Sequence, residues 1–160
     1  MAIEIERKYL VLDSRWRSAV VSQSHIRQGY LAQNERVEVR VRIKSDGNAT
    51  LTVKASGGGV ERAEFECDTT LKDAEALLQH CGGQVIEKMR YTVLEQGRHW
   101  LVDEYRGRLA PLVLAEIELT RAEDAPDPLP DWIGAEVSDR AEYSNARLAT
   151  CGLPQTGNAP

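Results

Sequence analysis

The chain has 160 residues, 42% of them hydrophobic and 28% charged, with a formal net charge of −5. This size suits one domain with a real core, and the composition suits a soluble globular protein. The negative balance argues against a nucleic-acid binder that works through a broad basic surface, and no apolar run approaches membrane-spanning length.

In chain order, the N-terminus reads as a charged strand over 3–11 rather than a signal peptide. Residues 13–21 suggest one or two helical turns around Trp16. Strands follow at about 26–32, 36–44 and 49–55, the last two joined by the turn Ser45-Asp46-Gly47-Asn48. After a second turn, Ser56-Gly57-Gly58-Gly59, comes a strand at about 60–68. Thr69 or Thr70 then caps a helix over 71–80 that carries Leu71, Ala74, Leu77 and Leu78 on one face and stops at Gly82-Gly83. Three more strands fit at 84–95, 98–105 and 111–120. Residues 121–132, rich in Pro and Asp, read as a loop with one helical turn. Ser138 is placed to cap a final helix through about 150, and the last residues read as a frayed tail. This gives eight strands and two firm helices, with 1–152 as one domain and 153–160 as a flexible tail. Cys67, Cys81 and Cys151 are scattered, odd in number and outside any CxxC pair, which reads as reduced thiols in a cytoplasmic protein.

The strands alternate charged and apolar residues. Glu4, Glu6 and Lys8 share one face of the first strand, and Ile3, Ile5, Tyr9 and Val11 share the other. The pattern returns in Arg40 and Arg42, in Glu64 and Glu66, in Lys88 and Arg90, and in Glu116 and Glu118. Such a face is ordinarily the solvated one. The chain would then be a small barrel or sandwich with an apolar centre, such as a carrier of hydrophobic ligands. Sorting by sign favours the opposite arrangement, because adjacent like charges on a strand repel and a merely soluble face does not need them. A barrel with a charged interior then becomes reasonable if a metal and a polyphosphate fill it. Eight strands leave room for one small ligand, and every buried charge requires a partner.

Glu4-Ile5-Glu6-Arg7-Lys8 matches the ExExK signature of the CYTH, or triphosphate tunnel metalloenzyme, superfamily. Further ordered matches run from Gln28-Gly29-Tyr30-Leu31 through Val39-Arg40-Val41-Arg42, Leu51-Thr52-Val53-Lys54 and Arg62-Ala63-Glu64-Phe65-Glu66. They continue with Glu87-Lys88-Met89-Arg90-Tyr91, Trp100 to Tyr105, Ala115-Glu116-Ile117-Glu118-Leu119, Trp132 to Ser138 and Tyr143-Ser144-Asn145. The chain resembles the short bacterial members that are inorganic triphosphatases. The resemblance implies a mainly β (α+β) fold: a closed eight-stranded antiparallel β-barrel, or tunnel, with peripheral helices and a C-terminal helix. It implies a divalent metal, Mg²⁺ or Mn²⁺, and hydrolysis of a triphosphate inside. One departure is Leu101, which stands where relatives often carry Glu. Ser138 stands where Thr is common.

Same-face neighbours on a strand lie about 6.6 Å apart, a spacing at which two cations can grip neighbouring phosphates. The substrate-binding candidates are Lys8, Arg40, Arg42, Lys54, Lys88 and Arg90, with Arg62 at the same period. Arg supplies planar forks and Lys mobile point charges. Hard oxygen ligands for the metal would come from Glu4, Glu6, Glu116 and Glu118, with Asp103 as a further candidate. The catalytic set is Lys8, Glu6 and Glu118. Glu64 and Glu66 are read as supporting carboxylates that separate the cations. His25, His80 and His99 are isolated and suggest no zinc site.

The function implied is hydrolysis of tripolyphosphate to diphosphate and phosphate. Adenylate cyclase and thiamine triphosphatase remain alternatives on the same scaffold, as does a non-catalytic polyphosphate-binding module. The expected partner is a small-molecule triphosphate, with no nucleic acid and no membrane; a homodimer stays open.

Overall fold

A computed structural model describes residues 2–34, 36–55, 61–124 and 126–155, with the backbone alone for residues 2–4, 61, 62 and 122. The expected turn at 56–59 and the end of the expected tail, 156–160, lie outside the described residues. Among the described residues, nine strands form one antiparallel sheet: β1 (Ala2–Val11), β2 (Val20–Gln33), β3 (Val37–Lys44), β4 (Ala49–Ala55), β5 (Glu61–Asp68), β6 (Val85–Glu95), β7 (Arg98–Tyr105), β8 (Val113–Glu118) and β9 (Ile133–Glu136). Two α-helices, α1 (Leu71–Gln79) and α2 (Asn145–Cys151), and four short 3-10 helices complete the described elements. One 3-10 helix, Arg15–Ala19, is the turn expected around Trp16. None of the described helices is long and apolar enough to cross a membrane.

The sheet order is β5-β4-β3-β2-β6-β7-β8-β1-β9, and β1 also pairs with β5. The first strand divides its edges among three neighbours. Ala2 to Ile5 face Glu64 to Glu61, Glu6 to Leu10 face Glu118 to Leu114, and Tyr9 and Val11 face Glu136 and Ile133 of β9. The expected closed barrel of eight strands is corrected here: the sheet has nine strands and is not a simple closed ring of eight, because β9 branches from β1. Four residues with Gly134 among them carry too little alternation to announce that strand.

The main apolar core lies on the face opposite the charged ladder. Ile5 and Tyr9 of β1, Val93 of β6, Trp100 and Val102 of β7, and Ala115 and Ile117 of β8 pack with Trp16 and Trp132. Trp100 stands edge-on to Trp132, with centroids 5.7 Å apart, and to Tyr9 at 5.8 Å. The first 3-10 helix and the loop leading to β9 thus cover this face. This arrangement excludes the apolar-centred carrier.

Thr70 caps α1, its side chain accepting from the Asp73 N–H at 3.1 Å. The helix lays Ala74 and Leu78 on Val41, Ile43 and Ala49. The second helix does something different. Ala146, Leu148 and Ala149 pack on Tyr30, Ile86, Tyr105 and Leu114. Those last four alternate in register with Lys88, Asp103 and Glu116, so they belong to the charged face at one end of their strands. Helix α2 therefore fills one end of that face. Ser138 does not cap it, contrary to expectation: the Ser138 Oγ accepts from the Lys8 N–H at 2.9 Å, and Ser144 caps α2 by accepting from the Arg147 N–H at 3.2 Å.

Gly29 lets α1 approach β2. A Cβ there would sit 2.5 Å from the Cys81 Sγ and 3.0 Å from Leu78. Gly29→Ala is expected to cost about 1–3 kcal/mol of stability by overpacking, measured by urea unfolding. Adding Cys81→Ala should recover part of the loss, and no recovery would mean that the strain arises elsewhere.

Candidate active site

Period-two alternation sends the charges of neighbouring strands to one side, where they enclose a cavity of about 190 Å³. Its lining carboxylates are Glu6, Glu64, Glu66, Glu116 and Glu118, and its lining cations are Arg40, Arg42, Lys54 and Arg90. Asn145 and Leu101 complete the lining, so Leu101 is the apolar exception in a charged wall. Its register partner on β8 is Glu116.

Lys8, Lys88 and Asp103 do not line this cavity but are buried beside it. Asp103 and Lys88 have no exposed surface. The Lys88 Nζ donates to Asp103 Oδ2 at 2.5 Å, and Arg90 donates to both Asp103 oxygens at 2.6 Å each. The same Nη2 of Arg90 that donates to Asp103 Oδ2 also donates to Glu116 Oε2 at 2.6 Å, and the Lys8 Nζ lies 3.1 Å from Glu116 Oε1. Lys8 further donates to the Tyr143 carbonyl at 3.4 Å. Asp103, expected among the metal ligands, has its oxygens engaged by Lys88 and Arg90. Its place in the network is that of a holder of cations.

On the opposite wall, Lys54 pairs with Glu64 at 2.9 Å. The Arg40 Nη2 donates to Thr52 Oγ1 at 3.0 Å, and the threonine hydroxyl donates to Glu66 at 2.8 Å. Arg42 donates to Gln28 Oε1 at 3.2 Å, and the Gln28 amide donates to the Tyr30 hydroxyl at 2.9 Å. Arg40 Nε is buried without a hydrogen-bond acceptor among the described residues. Glu64 and Glu66, expected as supporting carboxylates, thus lie against Lys54 and Thr52. For Glu4 and Arg62 the backbones face each other across β1 and β5, and their side chains lie outside the described residues.

Electrostatics follow from this sharing. Burial opposes charge on Glu116, yet Lys8 and Arg90 hold its carboxyl well below the usual range. Burial likewise opposes the charge on Asp103, and Arg90 and Lys88 keep its pKa low. Burial also works against Lys8, but Glu116 and Glu6 raise its pKa above the ordinary value. Lys88 differs, because it must share Asp103 with Arg90. Its burial, opposed mainly by Asp103, brings the ammonium down to about 7. Burial and repulsion from Arg40 and Arg90 lower Arg42 to about 10.

A divalent metal fits one part of this wall. Glu6 and Glu118 are direct cross-strand partners on the cavity side. Like charges so placed repel, and Glu118 has no hydrogen bond or ion pair among the described residues. Two carboxylates facing one space offer hard oxygen donors that suit Mg²⁺ or Mn²⁺. Among the described residues, no three His, Cys, Asp or Glu side chains are gathered into a ready metal cluster.

Reading the sequence overlooked the uncharged members. Gln28 and Thr52 share the inward phase of Tyr30 and Lys54, but without charge they gave no ladder signal. Asn145, part of the Tyr143-Ser144-Asn145 match, also reaches the cavity.

Replacing Asp103 by Asn should leave Lys88 and Arg90 short of a counter-charge. A loss of about 3–5 kcal/mol is expected in urea unfolding, against less than about 0.5 kcal/mol for Glu118→Gln at the exposed rim; equal losses would contradict the network. Lys88 also gives a pH signature. Its pKa falls from 10.5 in the unfolded chain to about 7 in the fold, so between those values the unfolded state binds more protons and stability rises with pH. Lys88→Met should remove that part of the rise between pH 7 and 10, seen as a flatter denaturation midpoint.

The CYTH domain family profile matches residues 2–148. An inorganic triphosphatase of Acetivibrio thermocellus is 39% identical over 149 residues, covering 92% of this chain and 94% of that protein. One from Nitrosomonas europaea is 33% identical, covering 91% and 96%. A solved crystal structure of an inorganic triphosphatase superposes with a TM-score of 0.70 at 29% identity, covering 96% of this chain and 99% of the other.

Proposed function

The chain belongs to the CYTH family, and on that premise we propose that it is a cytoplasmic, metal-dependent inorganic triphosphatase that hydrolyses tripolyphosphate to diphosphate and phosphate. The observation that carries this reading is the cavity: among the described residues, four cations and five carboxylates surround about 190 Å³, with Leu101 the apolar exception and no aromatic side chain in the lining. Such a wall suits phosphate and metal and offers no platform for a purine or a thiazolium ring. The catalytic domain in this reading is residues 1–152. Strands of the sheet flank the cavity, and β1 pairs with β5 as well as with β8 and β9.

Arg40, Arg42, Lys54 and Arg90 bind the phosphate chain. The Arg forks grip non-bridging oxygens, and all four offset charge on the diphosphate as it leaves. Arg62 and Lys88 add positive potential around them. Lys8 acts on Glu116, holding that carboxylate ionised and in place. Glu6 and Glu118, with Glu4 and Glu116, would hold Mg²⁺ or Mn²⁺. The bound ion supplies Lewis-acid neutralisation of phosphate charge and a lowered pKa for water. Glu6 or Glu118 orients the attacking water and takes its proton. The new bond forms between the water oxygen and the terminal phosphorus, and the bond to the bridging oxygen of the diphosphate breaks.

Excess chelator should abolish phosphate release, and Mg²⁺ or Mn²⁺ should restore it. Glu118→Gln should keep the fold and weaken the response to metal, since an amide is a poorer ligand for a hard cation. Tripolyphosphate should exceed ATP and thiamine triphosphate in kcat/KM by more than about tenfold, or about 1.4 kcal/mol in the transition state. A preference for either organic substrate would overturn the inorganic assignment, and turnover in excess chelator would overturn the metal role.

A further inference from the structure

Asn145, the first residue of α2, is half-buried and lines the cavity. Its Oδ1 accepts from the Tyr105 hydroxyl at 2.6 Å and from the Lys88 Nζ at 3.4 Å. A lysine ammonium donates and cannot accept, so the amide oxygen must be the arm on that side. The Nδ2 arm, with two N–H donors, is then turned away from Lys88 and Tyr105. It has no acceptor among the described residues. Donors held at the edge of a polar cavity by bonds on the opposite arm are preorganised for an oxygen ligand.

The position in the fold adds direction. Leu148, Ala146 and Ala149 pack against Tyr30, Ile86, Tyr105 and Leu114, so the space ends beyond Asn145. A linear polyanion drawn in by Arg40, Arg42 and Arg90 has its leading phosphoryl group stopped there. The cations attract any phosphate along the chain, whereas a neutral amide adds a directional hydrogen bond at one depth.

We propose that Asn145 is a substrate-positioning residue whose Nδ2 donates to a non-bridging oxygen of the phosphoryl group lodged deepest in the cavity, setting the register of the triphosphate. This rests on the triphosphatase reading above.

Asn145→Asp separates this role from a structural one. The carboxylate keeps an acceptor for Tyr105 and Lys88 and replaces the donor with an anionic oxygen. The KM for tripolyphosphate should rise at least tenfold, with kcat changed much less and the melting temperature within a few degrees of the parent. A KM within twofold of the parent would overturn the proposal, because holding Tyr105 and Lys88 would then be the whole role. Should Asn145→Asp fail to fold, Asn145→Ala, a good helix residue, is titrated with tripolyphosphate in chelator by calorimetry. Binding weakened tenfold supports the donor, and unchanged binding overturns it. If the parent itself neither binds nor hydrolyses tripolyphosphate, the triphosphatase reading fails first and takes this one with it.

Discussion

Asp103 is a carboxylate without water contact, held by Lys88 and Arg90, and the shape of the site depends on it. A lone buried charge is too costly to keep ionised. Here the cost is spread along a chain of partners: Lys88 and Arg90 on Asp103, Arg90 on Glu116, and Glu116 on Lys8. These residues come from β6, β7, β8 and β1, so the network ties four neighbouring strands together across their inner face. Replacing such a network by apolar side chains is often neutral or stabilising in other proteins. Stability alone therefore does not account for such a network.

Turning the charges inward moves the hydrophobic core to the other face. Trp16 and Trp132, from a short helix and a loop, seal the outside of β1, β7 and β8, and α1 seals the outside of β3 and β4. Apolar residues on the inner face are gathered at one end, where α2 packs on them. The remainder of the inner face is left to Arg40, Arg42, Lys54, Arg90 and the carboxylates. Lys54, Arg40 and Arg42 each lean on an uncharged or anionic neighbour, which holds this row of cations in place.

Much of this was legible in the sequence because a strand has a period of two and charge is its plainest marker. The first eight strands and the sharing of one cavity by Glu6, Arg40, Arg42, Arg90, Glu116 and Glu118 follow from that pattern, and of the two threonines offered as caps, Thr69 and Thr70, the second is used. Other features have no such marker. Strand β9 is four residues long and includes a glycine. Ser138 and Ser144 are both plausible caps by residue type, and tertiary contact decided between them: Ser138 is taken by the Lys8 amide. Sequence spacing places Lys8 and Lys88 in phase with the lining cations, but it does not tell depth, and both lie below the surface of the cavity. Depth is also why Asp103 binds cations instead of standing free for a metal.

The inward-facing charge ladder is tested most directly by anomalous scattering from Mn²⁺ in crystals grown with tripolyphosphate. A manganese peak against Glu6 or Glu118 is expected, with phosphate density on Arg40, Arg42 and Arg90 inside the cavity. Manganese or phosphate bound on the outer face, with the cavity holding water alone, would contradict it.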